Sequence, residues 1–165
     1  MGTAAPGKKT ITNTIKEKLM EILHYDQNNK PGKEQKSAMV AFLAKHLEQF
    51  GDNPSDIEKA INYALREIES PGGFILKSLH EGIITCVVVV TKTGMRGFVP
   101  ENLLVYIATH NEFRGQGIGK KMMQVALETA EGNVALHVEP HNPAKILYEK
   151  LGFTNKYLEM RYHKN

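Results

Sequence analysis

The sequence predicts an α/β domain in which helices pack on a sheet. Three observations carry this. Apolar residues recur at helical spacing in three segments before Gly73, and the period then changes to strand-like runs. A glycine-rich turn, Arg114-Gly115-Gln116-Gly117-Ile118-Gly119, joins the apolar segment Leu103–Ala108 to the amphipathic run Ile118–Ala130. At 165 residues, 41% hydrophobic and 24% charged, the chain is long enough for one soluble domain with a real core.

Residues 1–9 read as a flexible leader. Ile11, Ile15, Leu19, Ile22 and Leu23 then predict a first helix, broken by Asn28-Asn29-Lys30-Pro31-Gly32. Met39, Phe42, Leu43, His46, Leu47 and Phe50 mark a second, ended by Gly51. Ile57, Ala60, Ile61, Ala64, Leu65 and Ile68 mark a third, with Ser55-x-x-Glu58 as a capping box and Pro71-Gly72-Gly73 as its stop. Phe74–Leu79 and Ile83–Val90 form a hairpin around His80-Glu81-Gly82. Strands follow at 103–108, 134–138 and 157–162, with a short helix at 143–151. Residues 10–165 thus make one domain: an additional helical N-terminal part, 10–52, without a convincing first strand, and a core from 53 to 165.

Composition excludes several function classes. Net charge is +3, but no basic tract of five residues occurs, so nucleic acid is not an expected partner. No apolar run reaches transmembrane length, no secretory core stands near the start, and Pro6 spoils a myristoylation signal; a cytoplasmic location is expected, without membrane association. Cys86, alone within an apolar run, reads as a buried and inert thiol.

The glycine-rich turn carries the chemistry. Small residues at a helix start let several backbone N–H groups converge at the positive end of the helix dipole, which suits phosphate. Two nucleotide loops fail on spacing. A Walker A loop would need Gly where Arg114 stands and Ser or Thr at Lys121; a dinucleotide fingerprint would need Gly or Ala at Lys120. The pattern Arg/Gln-x-x-Gly-x-Gly/Ala does fit, at Arg114, Gly117 and Gly119. With the downstream run Asn142-Pro143-Ala144-Lys145-Ile146-Leu147-Tyr148-Glu149-Lys150-Leu151-Gly152-Phe153, the chain resembles the GNAT superfamily of acyl-CoA-dependent N-acetyltransferases.

That resemblance implies a mixed, mostly antiparallel twisted sheet flanked by helices. It also implies acetyl-CoA as cosubstrate, with no metal. Ile107, Ala108 and Thr109 would offer backbone groups to the pantetheine arm, beside a splay between strands. The amides of Arg114, Gly115, Gln116, Gly117, Ile118 and Gly119 would take the pyrophosphate. Tyr148 is the expected acid for the departing thiolate, or else a core aromatic. Glu101, thirteen residues before Arg114, is the candidate base if desolvation raises its pKa, or else a solvated glutamate; Glu139 is a second candidate, and Glu112 is read as facing solvent. Asn142 matches a CoA-contacting asparagine, although one residue closer to Tyr148 than is common in the family. His141 could share that role, and Asn142 could instead cap the helix that follows. His137-x-Glu139-x-His141 lacks further ligands for a metal, and His46 reads as a core histidine.

The expected activity is direct attack of a primary amine, on a small molecule or a peptide, upon acetyl-CoA. A non-catalytic CoA-binding or interaction module on the same fold is the alternative. A homodimer is compatible with either, and nothing in the sequence fixes oligomeric state or acceptor.

Overall fold

A computed structural model of the chain describes residues 20–165. Five strands lie in the order of the chain: β1 (Met20–Tyr25), β2 (Gly73–His80), β3 (Ile83–Lys92), β4 (Asn102–Thr109) and β5 (Val134–Leu136). The first four pair antiparallel and β5 joins β4 in parallel, so the sheet is mixed and mostly antiparallel as expected. Helices α1 (Lys33–His46) and α2 (Pro54–Ala64) belong to one face; α3 (Ile118–Thr129) and α4 (Ala144–Lys150) belong to the other.

Each face has its own core. Met39, Leu43, Ile57 and Ile61 pack on Val87, Val89 and Tyr106. Met122, Met123 and Ala126 pack on Cys86, Val88, Val90 and Leu104 on the other side. The central strand β3 is buried on both faces, which is why its sequence is a continuous apolar run instead of an alternation.

Two irregularities in β4 shape the site. Val89 pairs with Tyr106 but Val90 pairs with Leu104, so Val105 is an extra residue in the ladder. Such a bulge shifts the side-chain alternation. Leu104 packs with α3, whereas Val105 and Tyr106 both pack on the α1–α2 side. Pairing to β5 also stops at Leu104, against Leu136. From Val105 to Thr109 that edge of β4 has no ladder partner among the described residues.

Three local expectations change. Ile22 and Leu23, expected in a helix, lie in β1, the first strand that the sequence did not reveal; Ile11, Ile15 and Leu19 and the leader lie outside the described residues. Tertiary pairing overrides the helical spacing here: Met20–Tyr25 aligns with Ile75–His80, His24 stacks on Phe74 at 5.7 Å, and Lys77 Nζ sits 5.3 Å from the Tyr25 ring centre. Residues 157–162, expected as a strand, form none. Leu158, Met160 and Tyr162 are 82–90% exposed, and alternation alone makes no strand without a neighbouring edge. Helix α2 starts before the expected box, at N-cap Asn53, whose side chain accepts from Asp56 N–H at 3.0 Å, with Pro54 suited to the first helical position. Helix α1 ends at His46, and a single 3-10 turn, Glu48–Phe50, leads to Gly51.

At Gly73, β2 approaches β3 so closely that a Cβ would stand 2.0 Å from the Val90 carbonyl oxygen. Replacement with alanine forces backbone apart. Gly73→Ala is expected to lower unfolding free energy by about 1–3 kcal/mol, read as a lower urea midpoint; an unchanged midpoint would show that this close approach is absent.

Candidate active site

Strand β4 ends at Thr109, a 3-10 turn (Asn111–Phe113) follows, and Gly117 caps α3. Gly117 has φ 82°, a left-handed conformation that any side chain would strain. The first α3 bond runs from Lys121 N–H to the Gly117 carbonyl. The backbone N–H groups from Gly115 to Lys120 have no acceptor among the described residues. The loop that carries them borders a cleft of about 260 Å³ lined by Thr109, Phe113, Arg114, Ile118, Lys120 and Leu147 together with Gly115, Gly117 and Gly119. An array of unpaired amides at the positive end of a helix, next to a lysine, fits a pyrophosphate.

The Arg114 side chain does a different job. Its guanidinium donates to the Thr109 carbonyl at 3.3 Å and the His46 carbonyl at 2.8 Å, and it pairs with Glu48 at 3.1 Å. It therefore ties the loop to the C-terminal end of α1. His46 completes the joint: Nδ1 accepts from Asn111 N–H at 3.3 Å, and its ring lies 4.5 Å from Phe42 and 4.4 Å from His110. Burial, then the neighbouring His110, lowers the His46 pKa, which favours the neutral ring that this acceptor role requires.

Beside the cleft, Leu147 carries the lining and Tyr148 is its neighbour on α4, 7% exposed. Burial pushes the Tyr148 pKa to about 12, so the phenol keeps its proton at neutral pH. Its hydroxyl has no hydrogen-bond partner among the described residues. Thr109 Oγ1 lies 3.7 Å from Cys86 Sγ, and burial raises that thiol to about 12, consistent with an inert core cysteine. Thr109 and Leu147 thus flank Gly119 of the loop, and Tyr148 follows Leu147 into the core cluster that holds Cys86.

Glu101 is not brought there. It precedes β4, at the far end from Thr109, roughly 25 Å away along a strand of this length. Its carboxylate accepts from Asn133 N–H at 2.9 Å, and backbone hydrogen bonding holds its pKa below the usual value, opposite to what a base there requires. The correction has a simple cause: Glu101 closes the turn into β5. Asn142 accepts from Ala144 N–H at 2.9 Å in a turn just ahead of α4, whose N-cap is Pro143 and not Asn142, while its amide nitrogen has no acceptor among the described residues. His141, Glu139 and Glu112 are exposed. Among the described residues no three His, Cys, Asp or Glu side chains gather as a metal site.

The sequence missed two groups. Phe113, Lys120 and Leu147 line the cleft, and Lys120 had a signal, since it occupies the first turn after the capping glycine. Tyr106 donates to Asp52 Oδ2 at 2.5 Å on the α1–α2 face. Nothing in the sequence marks that pair, because the bulge at Val105 decides which way Tyr106 points.

Residues 72–155 match the family model described as an acetyltransferase (GNAT) domain. The chain belongs to the GNAT acetyltransferase family. Solved structures share the fold of this GNAT chain at low identity. An aminoglycoside N-acetyltransferase in complex with CoA has TM-score 0.63 and 14% identity, covering 88% of this chain and 94% of its own. A possible acetyltransferase from Clostridium difficile 630 has TM-score 0.62 and 18% identity, with 89% and 98% covered. A ribosomal-protein-alanine N-acetyltransferase from Brucella melitensis biovar Abortus 2308 has TM-score 0.56 and 19% identity, with 88% and 99% covered. No curated protein sequence matches the chain significantly. Acetyl transfer is accordingly the class of activity that the family supports. Among the described residues no helix is long and apolar enough to cross a membrane.

Two buried acids of this GNAT domain make its stability depend on alkaline pH. Cys86 and Tyr148 rise from ordinary values of 9.0 and 10.0 to about 12 on folding, so between those limits the native state holds protons that the unfolded chain has released. The contribution of these two groups is constant below about pH 9 and is lost as pH rises through the window to 12. Urea unfolding between pH 7 and 11 should show this decline, and Tyr148→Phe should make it shallower; equal slopes would place Tyr148 in water.

Proposed function

We propose that this chain moves an acetyl group from acetyl-CoA to a primary amine by direct attack. The observation that carries it is the run of unpaired amides from Gly115 to Lys120, in a loop that lines one cleft with Thr109 and with Leu147, the chain neighbour of Tyr148. Within this reading Gly115, Gln116, Gly117, Ile118 and Gly119 hold the pyrophosphate through backbone N–H groups, with the Lys120 charge adjacent, while the Arg114 N–H, which the sequence assigned to the same task, is given to the Asn111 carbonyl at 3.4 Å. Ile107, Ala108 and Thr109 present the unpaired edge of β4 to the pantetheine arm, and the Asn142 amide is a further donor. Acetyl-CoA supplies the acetyl thioester.

The proton balance then falls on few groups. As the N–C bond forms and the C–S bond breaks, the ammonium loses two protons. One replaces the proton that Tyr148 gives to the departing thiolate, and the other goes to solvent. A phenol held neutral by burial is suited to that donation. Glu101 is not used, for the reasons of position and hydrogen bonding above, and no covalent intermediate is invoked, since Cys86 is buried.

Acetyl-CoA binding by calorimetry and thiol release with a panel of amines test the reading together. Gly117→Val should abolish measurable acetyl-CoA binding while the fold, judged by circular dichroism, persists. Tyr148→Phe should lower kcat by roughly 10²–10⁴-fold, the usual range for a positioned proton donor, with affinity for acetyl-CoA retained. Turnover equal to that of the parent would leave Tyr148 a packing residue. Binding without any transfer or thioester cleavage would favour a CoA-binding module.

A further inference from the structure

We propose that Asp52, oriented by Tyr106, receives the ammonium group of the acceptor on the sheet face opposite the CoA cleft, and so selects cationic amines. The inference rests on the donor reading above and adds to it the acceptor side. Its geometry begins with the backbone. Pairing between β4 and β5 ends at Leu104, so the sheet has an unpaired edge from Val105 to Thr109. Thr109 borders the donor cleft on the α3–α4 face. Tyr106, three residues back and roughly 10 Å along the strand, faces the α1–α2 side. A thioester running from the loop along that edge therefore comes level with Tyr106, where a second molecule can approach from the opposite face.

The bulge at Val105 makes this arrangement possible, because without it Tyr106 would point to the α3 side. Tyr106 is 7% exposed, and its hydroxyl spends its one proton on Asp52 Oδ2 across 54 positions of sequence. Asp52 itself is exposed, in the segment between the 3-10 turn Glu48–Phe50 and α2. Its Oδ1 has no hydrogen-bond partner among the described residues. A buried phenol thus fixes one oxygen of an exposed carboxylate and leaves the other without a hydrogen-bond partner, with the exposed Arg161 guanidinium the cation that feels its charge. The strong electrostatic partner for such an oxygen is an ammonium N–H. In this assignment Tyr106 is a positioning residue: it acts on the amine only through Asp52.

The test compares acetyl transfer to two probes, spermidine and β-alanine, by the parent protein, Asp52→Asn, Asp52→Glu and Tyr106→Phe, with acetyl-CoA affinity measured for each. Spermidine is cationic throughout, whereas β-alanine carries a carboxylate near its amine. The parent should favour spermidine. Asp52→Asn should raise the KM for spermidine at least tenfold and erase most of the preference, with kcat changed far less and acetyl-CoA affinity unchanged. Tyr106→Phe should move the same KM in the same direction by a smaller factor, with melting temperature recorded to separate lost stability from lost orientation; Asp52→Glu should restore part of the preference. An unchanged spermidine KM in Asp52→Asn overturns the proposal, as does acetyl-CoA binding without transfer to either probe. Absence of acetyl-CoA binding in the parent overturns the donor reading and this inference with it. Weaker acetyl-CoA binding in Asp52→Asn would place Asp52 on the donor side and likewise overturn it.

Discussion

The separation of β4 from β5 after Leu104 is the constraint on which the site depends. A continuous parallel ladder would satisfy the backbone of β4 along both edges and leave no room between the two faces. Instead β5 is three residues long, and the backbone from Val105 onward is free on that side. Unpaired backbone groups are tolerated at an edge open to solvent or to a ligand, and they are expensive elsewhere. The bulge at Val105 adds local twist where the strands part and turns Tyr106 to the opposite face. One backbone irregularity thus sets both the opening and the direction of the side chains around it.

The interior explains why this opening does not unravel the sheet. Strand β3 is held between two apolar layers and pairs with β2 from Ile83 to Thr91 and with β4 from Cys86 to Lys92. The loss of ladder bonds at the β5 edge falls outside that framework. Helix α3, anchored by Met122, Met123 and Ala126, fixes the glycine loop at its N-terminus, so the unpaired amides are presented by a rigid element. Preorganised donors of this kind need little rearrangement when an anion arrives.

Much of this was legible in the sequence, because local rules govern it. The hairpin, the glycine loop and the helices after it depend on short-range periodicity and turn chemistry, and Gly117 stands at the start of α3, where the glycine-rich turn was read. What could not be read depends on distant partners. Met20–Tyr25 is a strand only because β2 offers an edge, and its apolar spacing imitates a helix. The alternating residues near the C-terminus show the reverse case, a strand pattern with no described edge to join. Glu101 had a plausible position in sequence, but its carboxylate is engaged by Asn133 in the turn into β5. Asp52 and Tyr106 are remote in sequence and joined by a bulge that no pattern announces.

The Arg114 side chain has a consequence for how two ligands would sense each other. By donating to the His46 carbonyl and pairing with Glu48, it joins the glycine loop to the end of α1, and the chain reaches Asp52 four residues after Glu48. The two flanks of the opening therefore form one mechanical unit. A molecule held by the loop would act through these bonds on the segment that leads to Asp52. By linkage, any such gain must be reciprocal, so filling either side would reduce the entropy still to be lost by the other.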